Sequence, residues 1–139
     1  MTVGSDYLTD KNEREAALTS TSISEALTQI GKIRADTDYT RMKENQGRQL
    51  FPGELERQRL ANENLNEAVW MLQREGVIKD LDVKLALQGI QPGRPAYGAF
   101  LKQVVDKLSV MDFTKDVGIK IKQFEEWLER VLPWGNDHK

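Results

Sequence analysis

Cysteine is missing from this sequence, and histidine occurs once, at His138, beside the last residue. Without cysteine there are no disulfides and no thiolate metal sites. With a single histidine the usual zinc ligand sets cannot be assembled. A general base must also be held rigidly by its neighbours, and a penultimate histidine is expected to fray. No run of about 18 apolar residues occurs, which excludes a conventional membrane-spanning helix within these residues. The opening stretch MTVGSDYLTDKNER lacks a basic region followed by an apolar core, so no signal peptide is expected. Gly89 and Gly93 bracket prolines and precede no Lys-Ser or Lys-Thr pair, so the phosphate-cradling loop is absent. An excess of one charge is also missing. Twenty basic residues face 22 acidic ones, for a net charge of -2. That balance argues against nucleic-acid binding led by phosphate contacts.

What the chain does contain is polar and helical in texture. Of its 139 residues, 39% are hydrophobic and 30% charged, against about 45–50% and about 25% in ordinary globular domains. Mean hydropathy is -0.59. Such a chain makes a thin core or borrows one by pairing long helices with other chains. Apolar residues recur at regular spacing, so the chain is not read as disordered throughout.

The spacing predicts an N-terminal tail over 1–10, a single helical region over 11–132, and a C-terminal tail over 133–139. The first helix runs from about Lys11 to Gln49, with Thr9 or Asp10 available as a cap. Ile23, Leu27 and Ile30 follow the 4,3 interval of a coiled coil. The Ser/Thr-rich passage 19–24 is a candidate break. A first hinge near 51–53 centres on Pro52, which can end one helix and begin the next.

Residues 54–75 form the strongest helical pattern. Its 3,4 seam is Leu55, Gln58, Asn62, Leu65, Val69 and Leu72, which is half polar. Either the buried face is shifted to Leu65, Ala68, Val69 and Leu72, or amides form layers in a multi-chain bundle. In the second case Gln58, Asn62 and Asn66 face a lumen. Gly76 is the expected cap of that helix. A short helix over about 79–87 follows, burying Ile78, Leu81 and Leu85, with Val77 as a further candidate, before a second hinge near 89–95. Pro95 begins another helix to about Val110. Asp112 is the expected cap of the last one, from about Phe113 to Leu132. Its seam, Val117, Ile121, Phe124, Leu128 and Val131, is apolar at every position.

Chemistry is thinly represented. The carboxylate pairs Asp80 with Asp82 and Glu125 with Glu126 lie among lysines and arginines, and solvated helix faces explain them. Acid–base work needs a buried cleft that separates two pKa values. No catalytic residue, metal site or cofactor is expected, and the chain is read as a non-enzyme. Trp70, Trp127 and Trp134 are expected to pack between helices; the competing reading is an interfacial membrane belt. The glutamates at 125, 126 and 129 oppose an anionic surface near Trp127, which favours a partner helix or a capsid protein.

Three passages within 27–87 resemble the C-terminal half of microvirus DNA pilot proteins, the minor spike proteins of small single-stranded DNA phages. They are Lys-Ile-Arg-Ala-Asp-Thr-Asp-Tyr-Thr at 32–40, Gln-Arg-Leu-Ala-Asn-Glu-Asn-Leu-Asn-Glu-Ala at 58–68, and Leu-Gln-Arg-Glu-Gly-Val-Ile at 72–78. The ending Val131-Leu132-Pro133-Trp134 is similar to tails of that group. The resemblance implies an elongated all-α homo-oligomer in the virion, a helical bundle or tube that conducts the genome into the host. It further implies capsid or spike proteins as partners and only weak, transient DNA contact. The oligomer interface would then use Ile23, Leu27, Ile30, Leu65, Val69, Leu72, Val117, Ile121, Phe124, Leu128 and Val131. Pilot proteins commonly carry an N-terminal membrane-active segment with no counterpart here. Membrane contact is therefore expected only from segments outside this chain or from Trp127 and Trp134. The alternative is a cytoplasmic helical adaptor that binds a protein partner through its C-terminal apolar stripe.

Overall fold

In the computed structural model the described residues are 11–44 and 52–132. The tails 1–10 and 133–139, with Trp134 and His138, lie outside them, as does 45–51 beside the first hinge. The described residues form six helices and no strands. These are α1 (Lys11–Thr19), α2 (Ile23–Glu44), α3 (Pro52–Arg74), α4 (Val77–Leu87), α5 (Pro95–Ser109) and α6 (Val117–Val131). The chain is all-α.

The continuous helix expected over 11–49 is divided. Side chains from the Ser/Thr passage compete for backbone groups at the division. Thr19 Oγ1 donates to the Glu15 carbonyl at 2.9 Å, and Ser20 Oγ donates to that of Ala16 at 2.6 Å. Two residues on, Ser22 Oγ accepts the Glu25 N–H at 3.1 Å. Ser22 and Glu25 stand at the first and fourth positions of a capping box. Glu25 reaches back to Thr21 Oγ1 at 3.1 Å. The same residues therefore stop α1 and start α2.

Proline and glycine set the other ends. Pro52 and Pro95 begin α3 and α5, where a missing N–H costs nothing. At the end of α4, Gly89 N–H donates to Ala86 at 3.1 Å and Ile90 N–H to Leu85 at 3.0 Å. This is the paired arrangement of a Schellman motif, and it requires the left-handed φ of 75° that Gly89 adopts. The last helix begins later than expected. Asp112 accepts the Thr114 N–H at 2.9 Å and caps a turn rather than a helix. Phe113 drops into the core, and α6 starts after Asp116, whose φ is 51°.

One core joins side chains from all six helices, with Phe113 from the α5–α6 connection. α3 is central and packs on α2, α4 and α5; α1 lies against α2 and α5. The two longest helices do pair, as a bundle requires. Their pairing is covered by α4 and α5 of the same chain. The chain thus builds a core of its own, the first of the two alternatives read from its composition. Ile23, Leu27, Ile30, Leu65 and Leu72 are all 0% exposed, and Val69 is 5% exposed, within a single chain. They are interior positions of the single chain.

Candidate functional site

Several amides of α3 reach neighbouring helices. Asn62 Nδ2 donates to the carbonyl of Arg34 on α2 at 3.3 Å. Asn66 lies over Gly31 of α2, where an added Cβ would collide with its Oδ1. Gln73 bonds Ser24 of α2. Asn64 Nδ2 donates to the carbonyl of Ser109, the last residue of α5, at 3.1 Å. Gln58 is half-buried and also engaged. Of the three amides expected at a lumen, Asn62 bonds within the chain, Gln58 is half-buried, and Asn66 is exposed beside Gly31. Amides tie α3 to its neighbours where apolar residues run short.

Two charged contacts work the same way. Glu13 of α1 is buried and takes three hydrogen bonds from Arg34 of α2, at 3.1 to 3.3 Å. A buried carboxylate needs such a partner to offset its desolvation. Asp82 of α4 accepts the N–H of Ile23, the first residue of α2, at 2.8 Å. Burial pushes the Asp82 carboxyl up, although the Ile23 bond opposes the shift. Asp80 and Asp82 therefore diverge: Asp82 closes a helix end and Asp80 remains exposed. Tyr97 is buried nearby, and its hydroxyl has no hydrogen-bond partner. Burial, with the charges of Asp82 and Glu25, holds this phenol far above its usual titration range. Nothing here pairs an acid with a base around a cleft.

A concave surface lies between α4 and α6. Its volume is about 210 Å³, and it is lined by Val77, Asp80, Leu81 and Lys84 of α4, with Glu125, Leu128 and Glu129 of α6 and then Leu132. Helical spacing produces it. On α4, Val77 and Leu81 are one turn apart, as are Asp80 and Lys84, so an aliphatic row runs beside a charged one. On α6, Glu125 and Glu129 flank Leu128 in the same way.

The apolar stripe of α6 is divided between two uses. Phe124 and Leu128 are buried, while Val117, Ile121 and Val131 are half-buried. Trp127 stacks on Phe124 with ring centroids 5.7 Å apart. Lys107 of α5 sits 6.0 Å above the Trp127 ring, within reach of a cation–π attraction. Trp127 thus packs, as the inter-helix reading expects. Trp70 does not: it is 53% exposed, with Arg74 5.4 Å from its ring.

Among the described residues no group of three or more His, Cys, Asp or Glu side chains is arranged to hold a metal ion. No described helix is long and apolar enough to cross a membrane. The sequence reading placed Leu128 on a contact surface but missed Val77, Asp80, Lys84 and Leu132 around it. The available signal was the aliphatic pair Val77 and Leu81 set beside Asp80 and Lys84. Its meaning depended on which helix would lie opposite. No family model, curated protein or solved structure matches the chain.

Proposed function

We propose that this chain is a helical interaction protein that holds a protein partner in the groove between α4 and α6. One observation carries the reading. The hydrophobic seams of α2 and α3 close within the chain, whereas α4 and α6 leave an aliphatic concavity bordered by charge. A helix laid in an apolar groove is a recurring mode of peptide recognition. The groove includes Leu128 of the C-terminal apolar stripe, so the adaptor reading of that stripe is the one the geometry supports best. No catalytic step is assigned to the chain.

The test begins with random 16-residue peptides displayed in a library and selected on the full chain. Binding of the enriched peptides is then mapped by amide chemical shifts. Perturbations are expected at Val77, Asp80, Leu81, Lys84, Glu125, Leu128, Glu129 and Leu132. Binders that perturb the surface around Trp70 instead, or a selection that yields no binders, would remove the proposal.

The resemblance at 32–40, 58–68 and 72–78 supports a second reading about setting. In it the chain is a pilot-type component of a phage particle, the partner is another virion protein, and genome delivery is the role served. A tube of several copies would then have to be built from outer surfaces such as the groove, because the α2 and α3 seams are already filled. Genes for a major capsid protein and a replication initiator beside this one on a small circular genome are the expected observation; a cellular operon would eliminate this reading.

A further inference from the structure

The helix α1 is lightly anchored. Nine residues long, it buries Ala16, Ala17 and the Glu13 carboxylate. Its one large apolar side chain, Leu18, is 49% exposed. By contrast α5, against which it packs, buries Tyr97, Phe100, Leu101, Val104, Val105 and Leu108. Isolated helices shorter than about 12–15 residues are marginal in water, so α1 owes its position to docking. That docking rests on two alanine methyl groups, the pairing of Glu13 with Arg34, and further contacts of Asn12 and Arg14. When α1 leaves, both charges of the pair return to water together, and the desolvation they had suffered is recovered.

The bend that folds α1 back is held by side chains. Thr19, Ser20, Thr21 and Ser22 include no proline or glycine, so the covalent chain does not bar a helix through them. Helical bonds persist on both sides: Ser20 N–H donates to the Ala16 carbonyl and Ala26 N–H to that of Ser22, each at 3.0 Å. Between them, Ile23 N–H donates to Asp82 of α4 at 2.8 Å and Glu25 N–H to Ser22 Oγ at 3.1 Å. A continuous helix aims these same two donors at the carbonyls of Thr19 and Thr21, four residues back. Side-chain caps and backbone bonds therefore compete for the same N–H groups. Asp82 comes from another helix, so its bond ties the bend to the tertiary fold.

We propose that α1 is a strap latched by Asp82: when the Ile23 N–H passes from the Asp82 carboxylate to the Thr19 carbonyl, α1 undocks and continues α2 as one helix. The closed form shields flanks of α2 and α5, and the open form uncovers them and extends the chain.

Hydrogen exchange on the full chain is the first test. Amides of α1 should exchange at least roughly a hundredfold faster than that of Leu65, through an opening that leaves the core folded. Equal protection would overturn the strap. The second test uses the lack of cysteine. Lys11→Cys and Ala35→Cys, at exposed positions, carry spin labels whose separation is read by pulsed electron resonance. With Glu13 against Arg34 the labels lie close together; along one continuous helix they stand about 36 Å apart. Asp82→Ala combined with Glu13→Gln should raise the population at the long distance at least tenfold and make it the main one. Labels that stay close in a variant with parental circular dichroism would overturn the proposal. So would a broad distribution without a maximum near the long distance, because α1 would then fray instead of continuing α2. Asp82→Ala alone, the milder change, should move the same two populations in the same direction, and no movement would count equally against the latch.

Discussion

Asp82 of α4 accepts the backbone N–H of Ile23 at 2.8 Å, so the first turn of α2 is closed by a side chain 59 residues away. The carboxylate also meets the positive end of the α2 dipole. Ser22 closes the same turn locally through the Glu25 N–H, so two of the four otherwise unpaired amides of the helix start receive a side-chain cap.

Removing the distant cap should be measurable. Asp82→Ala is expected to lower unfolding free energy by about 1 kcal/mol, the usual loss for a capping residue. Asp82→Asn keeps an acceptor and avoids burying a charge, so it should match or exceed the parent at pH 7. The pH dependence has a definite sign. Burial raises the folded-state pKa of Asp82 above its unfolded value near 3.8. Its contribution to stability is thus fully present below the unfolded pKa and is lost as pH rises through the raised folded one. Urea titrations from pH 3 to 7 should show the parent losing stability relative to Asp82→Asn as pH rises across that window. A constant difference between the two would refute this account.

Tyr97 offers a complementary test. Its hydroxyl is buried without a hydrogen-bond partner, and leaving a polar group so placed costs about 1–3 kcal/mol. Tyr97→Phe should therefore be neutral or stabilising in chemical denaturation. Tyr97→Ala, which deletes the ring as well, should lose about 3–5 kcal/mol. A clear loss on Tyr97→Phe would mean that the hydroxyl has a partner in solution.

A Cβ at Gly31 would meet Asn66 Oδ1, the far end of an exposed side chain. Replacing Asn66 by alanine removes that contact. In an Asn66→Ala background, Gly31→Ala should thus add about 0.5–1 kcal/mol through helix propensity. Gly31→Leu should instead destabilise by about 1–3 kcal/mol through overpacking. Thermal melts of the four proteins decide the matter.

Leu27 and Leu65 distinguish a core within the chain from a seam between chains. Both are fully buried in one copy. Leu27→Ala and Leu65→Ala should each cost about 2–5 kcal/mol, and the loss should not change over a hundredfold range of protein concentration. A melting temperature that climbs with concentration would place these residues between chains.

Glu129→Lys tests the charge pattern of α6. A glutamate one turn before a lysine, as Glu125 would then be, is the favourable orientation on a helix and is worth about 0.2–0.5 kcal/mol. The variant should therefore melt at or slightly above the parent temperature in circular dichroism, and a clearly lower melting temperature would refute this.

Much of the architecture was legible in the residues because local rules fix it. Pro52, Gly76, Gly89 and Pro95 mark helix ends through φ restriction, missing donors or left-handed backbone. The 4,3 spacing of Ile23, Leu27 and Ile30 and of Phe124, Leu128 and Val131 identifies buried stripes whatever covers them. The Ser/Thr passage signalled the α1–α2 break through its side-chain competition for backbone groups.

Which surface covers each stripe is a different kind of fact. Periodicity states that a face is apolar; it carries no address for the face opposite. The same Leu65, Val69 and Leu72 serve equally in a seam between copies or against α2, and only the fold of α4 and α5 over the α2–α3 pair decided for the interior. Asn62 and Asn66 read as lumen-facing because a polar residue in a stripe has two explanations, water or a specific partner. For Asn62 the partner is the Arg34 carbonyl, whereas Asn66 is exposed beside Gly31. The groove is the extreme case. Asp80, Glu125 and Glu129 are ordinary surface carboxylates until the fold brings them to the lining of one concavity, since an electrostatic field depends on distances that the order of residues does not contain.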